Sequence, residues 1–131
     1  MKVRIAGNSI RFRLKQPEVT SFKVSGTVTE RIEFGPESED QIHFRLETYA
    51  EPHLSIDYEQ NAVTVYVPEE LAYRWTDTPL VGFDGKLNTA KGRTVSVLVE
   101  KDFACLDRGE DENEGTYPHP LANCQPEGAK E

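Results

Sequence analysis

The sequence predicts an α+β fold: a mainly antiparallel β-meander sheet with two short helices on one face. Most of the chain alternates apolar and polar residues with a period of two, which is typical of strands that bury one face. Two short segments instead place apolar residues at helical spacing after a proline. The chain has 131 residues, 37% of them hydrophobic, which suits one domain built around one core.

The first hairpin is predicted at the N-terminus. Val3 and Ile5 alternate with basic residues, and Ile10 and Phe12 do the same after Gly7-Asn8. Glycine in such a pair supplies the positive φ that a tight turn requires. The implied register places Ile5 opposite Ile10 and Val3 opposite Phe12, so the two apolar faces coincide.

The first helix is predicted to begin at Gln16-Pro17-Glu18, since proline is favourable in the first turn. Val19 and Phe22 would form its buried face, and Gly26 would end it as a left-handed cap.

Four strands are predicted in the middle of the chain. Their alternating apolar residues are Val28, Ile32 and Phe34; Ile42, Phe44 and Leu46; and Leu54, Ile56 and Tyr58, which face Val67, Val65 and Val63 in a second hairpin. The matching apolar sets fix the register of that hairpin.

The second helix is predicted after Pro68, with Trp75 on its buried face. Residues 76–93 contain three glycines and a proline and are interpreted as a loop, with one edge strand around 81–83. Residues 94–100 are apolar on both faces, which favours an interior strand. The sequence gives no evident internal repeat.

The predicted domain organisation is a single globular domain over 1–106 and an acidic tail over 107–131. The tail holds seven acidic and two basic residues and few apolar ones. Such a segment buries too little surface to offset its ordering entropy. We therefore expect it to be poorly ordered or laid on the surface.

Charge and hydropathy exclude several classes of function. The net charge is −8 and the pI is about 4.9, which disfavours nucleic-acid binding because phosphate contacts need clustered cations. No apolar stretch is long enough for a membrane span. Without a secretory signal, and with only two cysteines, the protein is expected to be cytoplasmic, as a monomer or homodimer.

A basic cluster follows from the register of the first hairpin. Arg4 falls opposite Arg11, and Lys2 opposite Arg13, on the face away from the core. Like charges in cross-strand pairs are destabilising, so carboxylates, solvent or an anionic ligand must offset them. Glu100 is one candidate partner for Arg11 or Arg13, whereas an anion site would use the planar guanidinium groups.

A second constellation consists of Cys105, His119 and Cys124. Cysteine and histidine are suitable Zn²⁺ ligands, and Asp107 could be a fourth. The spacing lacks the short Cys-x2–4-Cys unit that organises structural zinc. The alternative interpretation makes Cys105 a small buried hydrophobe and Cys124 an exposed thiol.

Two runs resemble the opening and closing motifs of a family of small uncharacterised bacterial proteins of unknown function. They are Lys2-Val3-Arg4-Ile5 with Asn8–Leu14, and Val99–Leu106 with Arg108 and Glu110-Asp111-Glu112, followed by Tyr117-Pro118-His119-Pro120. The resemblance implies no catalytic or binding residues.

The sequence contains no recognisable acid–base or nucleophile constellation, which favours a non-catalytic interaction or accessory module with an unknown protein partner and no cofactor. The first alternative is a binder of, or an enzyme on, a phosphorylated or other anionic small molecule, using the basic cluster. The second alternative is zinc binding through the C-terminal Cys and His residues.

Overall fold

The computed structural model describes residues 1–103 and 115–117. Its elements are β1 (Lys2–Ala6), β2 (Ser9–Leu14), α1 (Gln16–Ser25), β3 (Thr27–Glu33), β4 (Gln41–Tyr49), β5 (Ser55–Glu59), β6 (Ala62–Pro68), α2 (Glu69–Asp77), β7 (Gly82–Asn88) and β8 (Thr94–Lys101), with one 3-10 turn over Ser38–Asp40. The α+β class and the two short helices are confirmed.

The strands form two mixed four-stranded sheets, in the orders β1-β2-β8-β7 and β3-β4-β6-β5. The expected single meander is therefore wrong in its topology. Hairpin partners pair antiparallel, but β2 pairs with β8 and β4 with β6 in parallel. The reason is that each helix carries the chain from one sheet to the other, so each sheet combines one hairpin from either half of the chain.

A unit of strand–strand–helix–strand–strand occurs twice in the fold. β1, β2, α1, β3 and β4 correspond in order to β5, β6, α2, β7 and β8. Phe12 of β2 pairs with Val99, and the corresponding Val65 of β6 pairs with Leu46. The fold thus has an internal repeat that the sequence analysis did not recognise.

The first hairpin forms as predicted. Ile5 pairs with Ile10 and Val3 with Phe12, and Gly7 has a φ of 58°. In the second hairpin, Ile56 pairs with Val65 and the turn falls at Gln60 and Asn61, which also have positive φ. Both registers are those that align the apolar faces.

The helices also agree with the prediction. α1 buries Val19 and Phe22, and the N–H of Gly26, at a φ of 79°, donates to the Phe22 carbonyl at 2.8 Å. α2 buries Ala72 and Trp75. Because each helix follows directly from a strand, its apolar stripe is placed at the end of the core.

β7 confirms the edge strand predicted around 81–83 and extends it into the region interpreted as a loop. Residues 82–88 form a full edge strand. A Cβ on Gly82 would lie 2.4 Å from the Val99 carbonyl oxygen, so the absent side chain lets the two backbones approach closely. Glycine here permits strand pairing rather than breaking it.

The core lies between the two sheets, not between one sheet and a helical layer. Phe12 and Val99 from one sheet and Leu46 and Val65 from the other belong to one buried cluster, and each is fully buried. The expectation that both helices cover one face of a single sheet is therefore corrected. The helices contact each other and the strands around them.

Candidate functional site

The basic cluster lies on the outer face of the first sheet. Lys2 pairs with Arg13 and Arg4 with Arg11 in the backbone register, as predicted. β8 adds Glu100 beside Arg13 and Leu98 beside Arg11. A carboxylate therefore enters the row of cations from the neighbouring strand.

The chain's own carboxylates pair with most of this cluster. Arg13 Nε donates to Glu100 Oε1 at 2.9 Å, and Arg11 Nε lies 3.9 Å from the same oxygen. Lys2 Nζ lies 3.5 Å from Oδ2 of the buried Asp102. The predicted pairing of Glu100 is thus present, and the closer contact is to Arg13. These contacts support a structural role for the part of the cluster that lies beside α1.

A shallow cavity of about 450 Å³ adjoins the other part of the cluster. Among the described residues, its charged lining consists of Arg4, Arg11, Lys86 and Asp84. Guanidinium and ammonium groups gathered beside a concavity are the donors that an anion-binding surface uses.

Lys101 is buried, with the ring of Tyr117 beside its ammonium group. Its Nζ donates to the Thr78 carbonyl at 2.7 Å and lies 5.4 Å from the centre of the Tyr117 ring. Burial lowers the pKa of Lys101, and burial also raises the pKa of the Tyr117 hydroxyl. The alternation places Lys101 on the same face as Val97 and Val99, but the predicted strand ends at residue 100 and so leaves this lysine out.

Residues 115–117 lie beside Lys101 and are hydrogen-bonded to the body of the protein. The Gln16 N–H donates to the Gly115 carbonyl at 2.8 Å, and the Tyr117 N–H donates to the Asp102 carbonyl at 2.7 Å. Tyr117 also packs edge-on against Phe103, with 5.7 Å between ring centres. This part of the C-terminal segment therefore lies against the body of the protein.

A cleft opens between the sheets at the end opposite the helices, which we call the open end. The turns at Gly7-Asn8 and Gln60-Asn61 and the loop 89–93 all lie there, because β2, β6 and β8 start at this end. The cleft has a volume of about 530 Å³. Its apolar lining comprises Ile5, Ile10, Phe44, Ile56, Tyr58, Val63 and Val95.

The apolar residues of the cleft belong to the inner faces of the sheets and range from the buried Ile10 to the largely exposed Ile5 and Tyr58. Ile5 is 61% exposed and Tyr58 is 69% exposed, whereas Phe12 and Val65, further along the same faces, are 0% exposed. Ile32 and Ile42 on the second sheet are also exposed. Exposed apolar surface lining a concavity is typical of binding sites.

The loop 89–93 adds a charged rim. Lys91 and Arg93 line the cleft, together with one carboxylate, Asp57, which is in register with Thr64 on the outer face. The Thr89 N–H donates to the Arg93 carbonyl at 2.8 Å, and the Arg93 N–H donates to Thr89 Oγ1 at 3.1 Å. These hydrogen bonds fix the loop backbone and therefore the Cα positions from which the side chains of Lys91 and Arg93 extend.

The predicted zinc ligands Cys105, His119 and Cys124 lie outside the described residues, as does Asp107. Within 1–103 and 115–117, no group of three or more His, Cys, Asp or Glu side chains is arranged to hold a metal ion. Zinc binding stays a prediction from the sequence.

Residues 1–121 match the model of a family of unknown function, DUF7009, and the chain belongs to this family. Comparisons with curated proteins and with solved structures give no match. Neither helix in the described part of the chain is long and apolar enough to cross a membrane. The predicted membership of an uncharacterised family is thereby confirmed.

Proposed function

We propose that this member of a family of unknown function is a non-catalytic binding module that holds a small, largely apolar molecule in the cleft at the open end. One observation carries the proposal. Inner-face residues such as Ile5 and Tyr58, which would complete the core if the sheets closed, instead line an accessible cavity.

The size and chemistry of the cleft support a small-molecule ligand. Its volume of about 530 Å³ lies inside the range of roughly 300–1,000 Å³ common to such sites. Apolar side chains from both sheets would surround a ligand, so its burial would remove apolar surface of both partners from water. All seven apolar residues named in the lining lie in strands whose pairing holds them in place.

A titration with N-phenyl-1-naphthylamine tests the proposal, because this neutral probe fluoresces when it leaves water for apolar surroundings. We expect saturable binding to the wild-type protein. The Tyr58→Ser and Ile5→Ser variants should weaken it several-fold, since both remove apolar lining.

Tyr73 supplies a matched control. It is 64% exposed on α2, close to the 69% of Tyr58, but does not line the cleft. Tyr73→Ser should leave probe binding unchanged. Equal losses in Tyr58→Ser and Tyr73→Ser, or no saturable binding to the wild type, would contradict the proposal.

A second candidate function is anion binding at the basic cluster. It is favoured by the cavity shared by Arg4, Arg11 and Lys86. Thermal unfolding with inorganic phosphate and tripolyphosphate tests it, because a ligand that binds only the folded state raises Tm. The rise should disappear in Arg4→Gln and persist in Lys23→Gln, because Lys23 is exposed and lines neither cavity. No rise at millimolar anion concentration would dismiss this candidate.

The proposal retains three further predictions from the sequence: a cytoplasmic location, a bacterial origin, and a monomeric or homodimeric state. An unknown protein partner also stays part of it, because a cleft that binds an apolar molecule can equally receive an apolar side chain. Size-exclusion chromatography with light scattering distinguishes monomer from homodimer.

A further inference from the structure

The charges around the cleft indicate the class of ligand more closely. This inference rests on the proposed function. We infer that the ligand is a small amphipathic carboxylate, whose apolar body occupies the cleft and whose anionic group meets Lys91 and Arg93.

The rim places both cations on one short loop. Lys91 and Arg93 are exposed and line the cleft, and neither forms an ion pair with any residue in 1–103 or 115–117. This differs from Arg13, whose guanidinium is held by Glu100 at 2.9 Å. The loop cations therefore keep their donors for a ligand.

The loop is braced from two sides. Its backbone is closed by the hydrogen bonds between Thr89 and Arg93 and by the Gly92 N–H donating to the Thr89 carbonyl at 3.1 Å. The Asn8 side chain donates to the Thr94 carbonyl at 2.8 Å, which ties the loop's end to the first turn. Restrained cations lose less entropy on binding, so a braced rim favours affinity.

The overall charge of the protein makes this local arrangement informative. At a net charge of −8, the molecule as a whole repels anions. Among the described residues that line the cleft, two cations stand against one carboxylate, Asp57, so the charge there is locally positive. An apolar cavity with a locally positive mouth matches a molecule with an apolar body and one negative group, and disfavours an amphipathic cation.

A competition experiment separates this inference from the proposed function. N-phenyl-1-naphthylamine is bound to the full-length protein and displaced by decanoate or by decanol, both below the concentration at which they aggregate. The two competitors have equal chain lengths and differ in charge. For the wild type we expect decanoate to compete at concentrations about three- to tenfold lower than decanol, the range expected for two exposed charge pairs.

The variant Lys91→Gln/Arg93→Gln should remove this preference and leave the affinity for the neutral probe within twofold. Lys23→Gln/Arg31→Gln is the matched control, because it also removes two exposed cations and neither residue lines the cleft or the cavity beside Arg4. It should retain the full preference. Raising the salt concentration should narrow the difference in the wild type, since exposed charges are screened.

The outcomes are distinguishable. Equal competition by decanoate and decanol in the wild type, with probe binding still sensitive to Tyr58→Ser, overturns the carboxylate inference and leaves the proposed function standing. A preference for decanoate that persists in the double variant also overturns it. Loss of probe binding through a concentration-dependent dimer that Ile5→Ser dissolves overturns both, because a second copy of the chain would then occupy the cleft.

Discussion

The two ends of the molecule use the same sheets in different ways. At the end beside the helices, Leu14 and Val67 continue the inner faces and are fully buried against Phe22 and Trp75. At the open end, Ile5 and Tyr58 occupy the same faces and remain largely exposed. The difference arises because each helix follows a strand at one end only, and no helix within residues 1–103 or 115–117 closes the other. Stability is thereby concentrated at the closed end, and the open end is left available for binding.

Trp75 gives the largest expected contrast between the ends. It is fully buried, packs edge-on against Phe22 and Phe83, and donates its Nε1–H to the Val81 carbonyl at 3.0 Å. Trp75→Ala should lower the free energy of unfolding by about 3–5 kcal/mol. Tyr58→Ala, at the open end, should lower it by about 0.5 kcal/mol or less. Urea denaturation measures both.

If Trp75→Ala does not fold, Phe22→Leu replaces it as the test at the closed end, with an expected loss of about 1–2 kcal/mol. A loss on Tyr58→Ala as large as that at Trp75 or Phe22 would mean that the open end is part of the core. The distinction between the two ends would then fail.

The basic cluster gives a second contrast between the two ends. Its ion pair between Arg13 and Glu100 lies beside the closed end. The side chains of Arg13 and Glu100 are both mostly buried and are joined at 2.9 Å. Glu100→Gln should therefore cost about 1.5–3 kcal/mol, the range for a hydrogen bond to a charged group. Removing the carboxylate also leaves Arg13 with a buried charge that has lost this partner.

Double-mutant cycles measured by urea denaturation show how much of that loss comes from the contact of Glu100 with each arginine. Coupling of Glu100 with Arg13 should exceed coupling with Arg11, because the distances to Glu100 Oε1 are 2.9 Å and 3.9 Å. Equal coupling to both arginines, or none to either, would mean that the contact contributes no specific stability.

The backbone at the two ends can be compared at two glycines. Gly26 at the end of α1 and Gly7 in the first turn both have positive φ, at 79° and 58°. A Cβ on Gly26 would lie 2.8 Å from Thr48 Oγ1, whereas a Cβ on Gly7 would meet nothing within 4 Å. Gly7→Ala should cost about 1 kcal/mol through backbone strain alone, and Gly26→Ala about 2 kcal/mol through strain and crowding. Thermal unfolding of the two variants checks the order, and the reverse order would contradict the packing described around α1.

The local structure was predictable because it depends on near neighbours in the sequence. The alternation around Gly7-Asn8 fixes the pairing of Val3 with Phe12, and the spacing of Val19 and Phe22 fixes the buried face of α1. The sheet topology was not predictable, because the parallel pairing of β2 with β8 joins residues from opposite ends of the chain. No local pattern specifies such a pairing.

One signal for the repeat was present in the sequence. Ile10, Phe12 and Leu14 are followed by Val19 and Phe22 at the same spacings that separate Val63, Val65 and Val67 from Ala72 and Trp75. The conserved element is a spacing of apolar positions rather than residue identity, so it is not evident by inspection. The cleft had no comparable signal, because Ile5 and Tyr58 have the pattern of core residues and only the separation of the sheets exposes them.

Lys101 provides the smallest expected effect and the last test of the closed end. It is buried, with the Thr78 carbonyl and the Tyr117 ring as the contacts of its ammonium group. Lys101→Met keeps an unbranched side chain, shorter by one atom, and removes the charge. We expect a change of about 1 kcal/mol or less near pH 7, since the relieved desolvation offsets the lost hydrogen bond.

The pH dependence of that difference is the sharper measurement. Burial lowers the pKa of Lys101 below its ordinary value of 10.5, so the folded protein releases this proton at lower pH than the unfolded chain. Between the two pKa values the unfolded state binds more protons, and the contribution of Lys101 to stability rises with pH. The wild type should therefore gain free energy of unfolding relative to Lys101→Met as the pH approaches 10.5. A difference that stays flat or declines over this range would show that the ammonium group is solvated, and that residues 115–117 do not seal the closed end around it.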